Sequence, residues 1–190
     1  MRLWGFVLEG FEAHLVDSLV DDHRYILQAL DLLEEAVDLM ARGRLPPSTV
    51  GRLARFLEEF ADGCHHAKEE AALFPCMEAR GHPFREGGIE RLTCEHGVAR
   101  YLLRGLQREL ERLERGEGSV EKARDYAARY VELIRRHIDV EDLELFERAR
   151  RVVGHGEMLE EARRIDVETG RERLIEEFYR IKEEVWEAGG

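Results

Sequence analysis

Two ten-residue segments of the chain repeat the same arrangement of a histidine and a glutamate. Residues 65–74 read HHAKEEAALF and residues 137–146 read HIDVEDLELF. In each segment, a histidine is followed four positions later by a glutamate and then by a second acid. Residues four apart on a helix lie on one face, about one turn from each other, so each pair could bind around one metal position. The two pairs are His65 with Glu69 and His137 with Glu141.

Two more histidines, His23 and His96, lie in two other segments of the chain that have a helical pattern of apolar residues. Each of the four predicted helices therefore carries at least one histidine. A single His-x-x-x-Glu pattern arises often in helices rich in glutamate. Two copies in matching contexts, with a histidine on each remaining helix, form a specific pattern. A carboxylate can bridge two metals through its two oxygens, and neutral imidazoles can donate from outside. This donor set suits iron or manganese, accepts zinc and disfavours copper(I).

Turn residues divide the chain into four long helical segments. Apolar residues at spacings of three and four predict helices over about residues 11–42, 48–80, 89–115 and 119–153. Ser48 or Thr49 is the candidate cap of the second helix, and Ser119 caps the fourth. Four such helices joined by short loops predict an all-α, up-down-up-down four-helix bundle over residues 11–153.

The two ends of the chain lie outside the predicted bundle. We expect residues 1–10 to be irregular and residues 154–190 to form a C-terminal extension of one or two helices. The last helix carries an apolar stripe: Leu174, Phe178, Ile181 and Val185. This stripe predicts packing on the outside of the bundle or a contact within a homo-oligomer.

The chain resembles the hemerythrin-like, or HHE cation-binding, family over about residues 11–153. The similarity is carried by residues 65–70 with 73–75, by 78–81, by 95–96, and by the segment from His137 with residues 141–142 and 145–146. The resemblance implies two iron ions, oxo- or hydroxo-bridged, with zinc or manganese as substitutes. The family's di-iron ligands carry over onto His23, His65, Glu69, His96, His137 and Glu141, with the two glutamates as bridging carboxylates.

The sequence departs from the oxygen-carrying members of that family in two ways. Their third helix has two histidines four apart, but Arg100 stands at the second position here. The last carboxylate follows its histidine by four residues as Glu141, not by five, where Asp142 stands. We expect the missing nitrogen ligand to open a coordination site, which favours reactive or sensing chemistry over reversible oxygen carriage.

A rival pair, His66 with Glu70, has the same four-residue spacing in the second helix. Its face of the helix also carries acidic residues, whereas the residues four and eight before His65 are apolar. We therefore favour His65 and Glu69 as ligands and expect His66 and Glu70 to lie behind them or at the surface.

Three other side chains could support the site. Tyr130 is predicted to be a core residue, with a hydrogen bond to a metal-bound oxygen species as the alternative. Arg100 could form a salt bridge in the core or hold an anionic ligand, and these two interpretations stay open. Glu58, seven residues before His65, is a candidate acid behind the ligands.

The charge of the chain argues against several classes of partner. The net charge is −12 and the pI is about 5.2, so nucleic acids and anionic membranes should repel the protein. The longest apolar stretch near the start, residues 3–8, is too short to span a bilayer. We therefore expect a cytoplasmic protein that binds neither nucleic acid nor membrane.

Three cysteines, Cys64, Cys76 and Cys94, form no CxxC pair and are odd in number, so they do not indicate a disulfide framework. They are predicted to be small buried residues. Cys64 and Cys94 stand one and two residues before predicted ligands, which leaves a redox or supporting role open.

The resemblance implies a non-haem di-iron protein that binds or reacts with oxygen, nitric oxide or hydrogen peroxide, in sensing, detoxification or iron handling. If the chain is an enzyme, it implies a di-iron oxidoreductase directed at peroxide or nitric oxide. The alternative is a metal-stabilised helical binding or signalling module without redox turnover, which a zinc-loaded site would suit. A ferritin-like site is disfavoured, because the chain has no Glu-x-x-His.

Overall fold

The computed structural model describes residues 14–85 and 88–190, and it is all-α within these ranges, as predicted. Six helices follow one another along the described residues. They are α1 (Leu15–Ala41), α2 (residues 47–79), α3 (Ile89–Glu114), α4 (residues 120–152), α5 (Leu159–Thr169) and α6 (Arg171–Gly189). The predicted irregular segment, residues 1–10, and the expected start of the first helix lie outside the described residues. No helix in the described ranges combines the length and the apolar character needed to cross a membrane.

The start of α1 is fixed by its neighbouring histidine. Nδ1 of His14 accepts a hydrogen bond from the backbone N–H of Val16 at 3.1 Å, and the Asp17 carboxylate accepts one from the backbone N–H of His14 at 3.3 Å. These contacts satisfy N–H groups that have no partner within the helix. The carboxylate is also favourable near the positive end of the helix dipole.

The second helix begins two or three residues earlier than the predicted caps require. Its first residue is Pro47, so the predicted caps Ser48 and Thr49 lie inside its first turn. A proline suits the first helical position because its φ is already helical and it has no N–H to leave unpaired. The predicted cap of α4 is confirmed, since the Ser119 hydroxyl accepts a hydrogen bond from the backbone N–H of Lys122 at 3.3 Å.

Two clusters of buried apolar side chains lie between the four long helices. The larger cluster occupies α1 from residue 26, α2 up to residue 61, α3 from residue 99 and α4 up to residue 138. The smaller cluster occupies residues 15–19, 72–77, 89–92 and 145–153 of the same four helices, in that order. Along the sequence, α1 and α3 pass through the smaller cluster before the larger one, whereas α2 and α4 pass through the larger cluster first. The predicted metal ligands lie between the two clusters on α1, α2 and α3, and on α4 they lie where the larger cluster ends and before the smaller one begins.

Each long helix packs against the next one in the chain, and α4 also packs against α1. The C-terminal helix α6 packs on α1 and α2. Its predicted stripe of Leu174, Phe178, Ile181 and Val185 is buried there. The stripe therefore covers the outside of the long helices, which is one of the two arrangements predicted for it.

Candidate metal centre

Three stretches of π-helix occur where the predicted ligands lie. They are Glu58–His66 and Glu69–Leu73 within α2, and Glu141–Leu145 within α4. A π turn bonds each N–H to the carbonyl five residues earlier, so it winds less per residue than an α turn, and such stretches recur at functional sites. In α2 this winding lets the neighbouring side chains of His65 and His66 both face the interior, where they are 1% and 2% exposed.

Five imidazoles and two carboxylates converge in the space between the two apolar clusters, and all of them are buried. Their donor atoms form two groups, each of which could hold a metal ion because one donor atom per residue lies within 4.8 Å of the others. The first group is His23, His65 and Glu141. The second group is His66, Glu69, His96 and His137.

Both carboxylates reach both groups. Glu141 places Oε2 3.2 Å from Nε2 of His23 in the first group and Oε1 3.0 Å from Nε2 of His137 in the second. Glu69 places Oε1 3.8 Å from Nε2 of His65 and Oε2 3.5 Å from Nε2 of His96. One oxygen of each carboxylate therefore faces each group, which is the arrangement needed to bridge two ions.

The outward nitrogen of every imidazole in the site faces a carboxylate. Four of these contacts join neighbouring helices: Nδ1 of His65 to Asp22 at 3.6 Å, of His96 to Glu70 at 2.7 Å, of His137 to Glu95 at 3.0 Å and of His23 to Asp142 at 2.9 Å. Each helix supplies a carboxylate to the imidazole of the next, and α4 supplies one to α1. We call Asp22, Glu70, Glu95 and Asp142 the carboxylate ring. The fifth contact lies within α2, where Nδ1 of His66 donates to Asp62 at 3.3 Å.

These outer contacts decide where the imidazole protons lie. The hydrogen bonds from His96 and His137 lower the pKa values of Glu70 and Glu95, and an ionised carboxylate can only accept. When these two rings are neutral, the proton therefore sits on Nδ1, which leaves the lone pair of Nε2 pointing inward, as in metal-binding histidines. In the metal-free protein, burial is outweighed by Glu141 and Glu95, which raise the pKa of His137 to about 9, so a proton occupies its Nε2 as well. The Nε2 atoms of His96 and His137 lie 3.1 Å apart. Two lone pairs at that distance repel unless a cation or a proton lies between them.

The two buried glutamates show the same need for a cation. Neither oxygen of Glu69 or of Glu141 accepts a well-aligned hydrogen bond among the described residues, although imidazole nitrogens lie 3.0–3.8 Å away, and a buried charge without hydrogen bonds is costly. Burial and the neighbouring Glu141 raise the pKa of Glu69 well above its ordinary value. Burial acts to raise the pKa of Glu141, but the neighbouring imidazoles of His137, His23 and His65 together outweigh burial and lower it well below its ordinary value. Converging lone pairs and carboxylate oxygens without well-aligned hydrogen bonds fit a bound metal.

The structure brings the six predicted ligands together and adds a seventh donor, His66. The sequence-based placement of His66 behind the ligands or at the surface assumed uniform α-helical winding, which the π-helical stretch of α2 breaks. His66 stacks on His96 with ring centroids 3.8 Å apart. Burial and the nearby imidazoles lower the pKa of His66 well below its ordinary value, so it is a neutral donor. The expectation that one nitrogen ligand is missing is therefore not supported by this arrangement.

Arg100, which stands where oxygen carriers have a second histidine, forms ion pairs behind the second group. Its Nε donates to Asp62 at 2.7 Å and its Nη2 to Glu70 at 2.9 Å. These two carboxylates are the ones that accept from His66 and His96. The structure thus shows the salt-bridging role for Arg100 and places Glu70 behind the ligands.

Two other predicted supporting residues have different surroundings. Glu58 accepts a hydrogen bond from Gln107 at 2.8 Å and lines a surface groove, so its partner is not an imidazole of the site. The expectation that it lies behind the ligands is wrong, because its side chain turns towards α3. Tyr130 is buried in the larger cluster, and burial raises the pKa of its phenol. This is the core role predicted for Tyr130.

The thiol next to His65 is buried. The Sγ atom of Cys64 donates to Asp166 at 3.2 Å, and burial raises the pKa of this thiol to about 12. Because the thiolate is the reactive form, a redox role for Cys64 is disfavoured. Cys76 is buried too, whereas Cys94 is exposed and does not match the prediction of three buried cysteines.

Sequence reasoning gave no supporting role to three members of the carboxylate ring: Asp22, Glu95 and Asp142. A signal for them exists, because each stands directly beside a predicted ligand in the sequence. Neighbouring residues on a helix point about 100° apart. An acid beside a ligand is therefore directed towards the adjacent helix, where the next imidazole lies.

The fold and the site define an all-helical cation-binding protein with a buried cluster of histidines and glutamates. The sequence profile of the hemerythrin HHE cation-binding domain matches residues 14–149. Because this match covers most of the chain, the chain belongs to that family, and the resemblance noted in the sequence is confirmed. No curated protein and no solved structure matches the chain. Helices α5 and α6 lie beyond the matched residues.

Proposed function

We propose that the four long helices form an up-down-up-down bundle around a pair of iron ions. The alternating order of the two apolar clusters along α1 to α4 supports antiparallel neighbours. The contact of α4 with α1 supports closure of the bundle. In such a bundle, the donor residues of all four helices lie at the same height, between the two apolar clusters.

One observation carries the proposal of two ions. Glu69 and Glu141 each direct one oxygen to each donor group, and none of the four oxygens accepts a well-aligned hydrogen bond among the described residues. A single ion would leave some of these oxygens unpaired, whereas two ions bridged by both carboxylates would use all four. The mixed nitrogen and oxygen donor set supports iron, with zinc and manganese as substitutes.

We propose that this centre binds or reacts with a small diatomic or peroxide ligand: oxygen, nitric oxide or hydrogen peroxide. When bound, a pair of ferrous ions would supply two electrons to such a ligand. The chain itself excludes water, since every donor is at most 2% exposed. Its carboxylate ring accepts hydrogen bonds from His23, His96 and His137 and places Asp22 3.6 Å from Nδ1 of His65, so these imidazoles are oriented before a metal arrives.

The fifth imidazole changes the expected chemistry. The sequence favours reactive chemistry on the expectation that one nitrogen ligand is missing. With His66 among the donors, reversible binding of a diatomic ligand stands beside sensing, detoxification and iron handling. If the protein is an enzyme, the proposal is a di-iron oxidoreductase directed at peroxide or nitric oxide.

The test is anaerobic loading with ferrous iron, followed by elemental analysis and optical spectroscopy. We expect about two irons per chain, one for each donor group, and a new near-ultraviolet and visible spectrum with at least one of the three ligands. Fewer than two metal ions per chain would contradict the dinuclear centre. Two ions without any spectral response would favour the alternative, a metal-stabilised binding or signalling module.

A homo-oligomer formed through the C-terminal helices would use exposed side chains such as Trp186, because the apolar stripe of α6 is already covered. The cytoplasmic location remains a prediction.

A further inference from the structure

Asp22 is the fully buried member of the carboxylate ring. Its side chain is 0% exposed, whereas those of Glu95, Glu70 and Asp142 are 13%, 35% and 39% exposed. Water can complete the hydrogen bonding of the three exposed members. Asp22 depends on groups within the protein, because a buried charge is stable only when it is paired.

Two cations provide that pairing. Nζ of Lys68 lies 2.5 Å from Oδ2 of Asp22, the oxygen that also faces Nδ1 of His65. Nε of Arg171 donates to the other oxygen, Oδ1, at 2.8 Å. Asp22 is therefore held at both oxygens, and its orientation towards His65 is set by both contacts together.

Arg171 is itself held in place on several sides. Its Nη2 donates to Asp21 at 2.8 Å, and its guanidinium lies 5.6 Å from the ring centroids of Tyr25 and Phe60. Only 13% of its side chain is exposed. A planar guanidinium that donates to two carboxylates and lies over two aromatic rings is a geometric constraint as well as a charge.

This arginine comes from the part of the chain that lies beyond the family match. It is the first residue of α6 and directly follows Gly170, whose φ of +70° allows the sharp turn from α5. Asp166 on α5 adds a second contact, since it accepts from Nζ of Lys68 at 2.9 Å. The C-terminal extension thus supplies one cation and one anion to the surroundings of Asp22.

We propose that Arg171 is a positioning residue of the metal centre, which orients the imidazole of His65 by holding Asp22. The proposal rests on the proposed function, because His65 is a ligand only if the first group binds metal. Without Arg171, Oδ1 of Asp22 loses its partner, and Asp22 and Asp166 share the single charge of Lys68. Asp22 then turns away from His65, and the tautomer of His65 is no longer fixed.

The experiment compares Arg171→Gln with a matched control, Arg52→Gln. Arg52 also joins α6 to the long helices, by pairing with Glu177 and Glu184, but it contacts no member of the carboxylate ring. Ferrous iron is titrated anaerobically against a competing chelator. We expect Arg171→Gln to weaken one of the two iron sites about tenfold, and Arg52→Gln to bind both ions as the wild type does.

A second readout needs no metal. In ¹⁵N NMR spectra of the metal-free protein, we expect the proton of the His65 imidazole to lie on Nδ1 in the wild type and in Arg52→Gln. In Arg171→Gln we expect a mixture of the two tautomers. If Arg171→Gln does not fold, Arg171→Lys keeps the charge without the forked geometry, and we expect a smaller shift in the same direction.

The outcomes separate the two proposals. A wild type that binds no iron overturns the proposed function, and with it the metal-binding part of this inference. A wild type that binds two ions, with equal affinities and an unchanged His65 tautomer in Arg171→Gln, overturns the positioning role alone. Equal weakening in Arg171→Gln and Arg52→Gln also overturns it, because loss of helix packing would then explain the effect.

Discussion

Replacing His66 by leucine tests whether this imidazole is a metal donor. Leucine has a similar size and keeps the interior filled, but it has no lone pair. In the metal-free protein the change removes a long hydrogen bond to Asp62 and one of several crowded lone pairs. We expect the free energy of unfolding of the metal-free protein to change by no more than about 1 kcal/mol. The metal-loaded protein should be affected much more.

The size of the metal-dependent effect follows from linkage. A ligand that binds only the folded state stabilises it in proportion to the logarithm of its concentration over Kd. Loss of one of the donors in the second group should weaken that site at least tenfold, which is about 1.4 kcal/mol. For a chain of this length, 1 kcal/mol corresponds to about 2–4 °C in Tm. The rise in Tm on adding metal should therefore be smaller by about 3–6 °C in His66→Leu.

The assay is thermal unfolding followed by circular dichroism, with and without anaerobic ferrous iron. His14→Leu is the control, because His14 is also a buried histidine but caps α1 away from the donors. It should lose about 1 kcal/mol in both forms, with an unchanged metal-dependent rise. If His66→Leu shows the same metal-dependent rise in Tm as the wild type, His66 is not a donor.

Three further predictions concern the surroundings of the site. Lys68→Met leaves the buried Asp22 short of a partner and should lower the free energy of unfolding in urea by about 3–5 kcal/mol; Lys182→Met, at the surface, should change it by less than about 0.5 kcal/mol. Arg100→Gln should weaken iron binding about tenfold in a chelator competition, and an unchanged affinity would show that its ion pairs do not support the ligands. Iodoacetamide should label the exposed Cys94 of the native protein well before Cys64, whose thiol has a pKa of about 12. The order is measured by mass spectrometry, and labelling of Cys64 first would contradict the prediction.

The helical fold was predictable because local signals agree with one another. The spacing of apolar residues, the glycine turns and the hydroxyl of Ser119 placed the long helices close to their observed ends. Pro47 shows the limit of such reasoning. A serine or threonine cap and a proline at the first helical position are both favourable starts, and their relative weight depends on tertiary packing.

The site was less predictable for a physical reason. The choice between His65 and His66 rested on a helical wheel, which assumes the same rotation at every residue. The π-helical stretch from Glu58 to His66 changes that rotation, and a wheel cannot show it. Arg171 is 149 residues away from Asp22 in sequence, and no local pattern predicts a contact over that separation.

The carboxylate ring also has a consequence for the alignment of the helices along their length. Each of the four long helices holds an imidazole that points to one neighbour and an acid that points to the other. Sliding any helix by one turn, about 5.4 Å, would separate it from both neighbours at once. Apolar side chains alone would tolerate such a slide more easily, since they attract without direction. The same acids that hold the imidazoles therefore select one alignment of the four long helices along their axes.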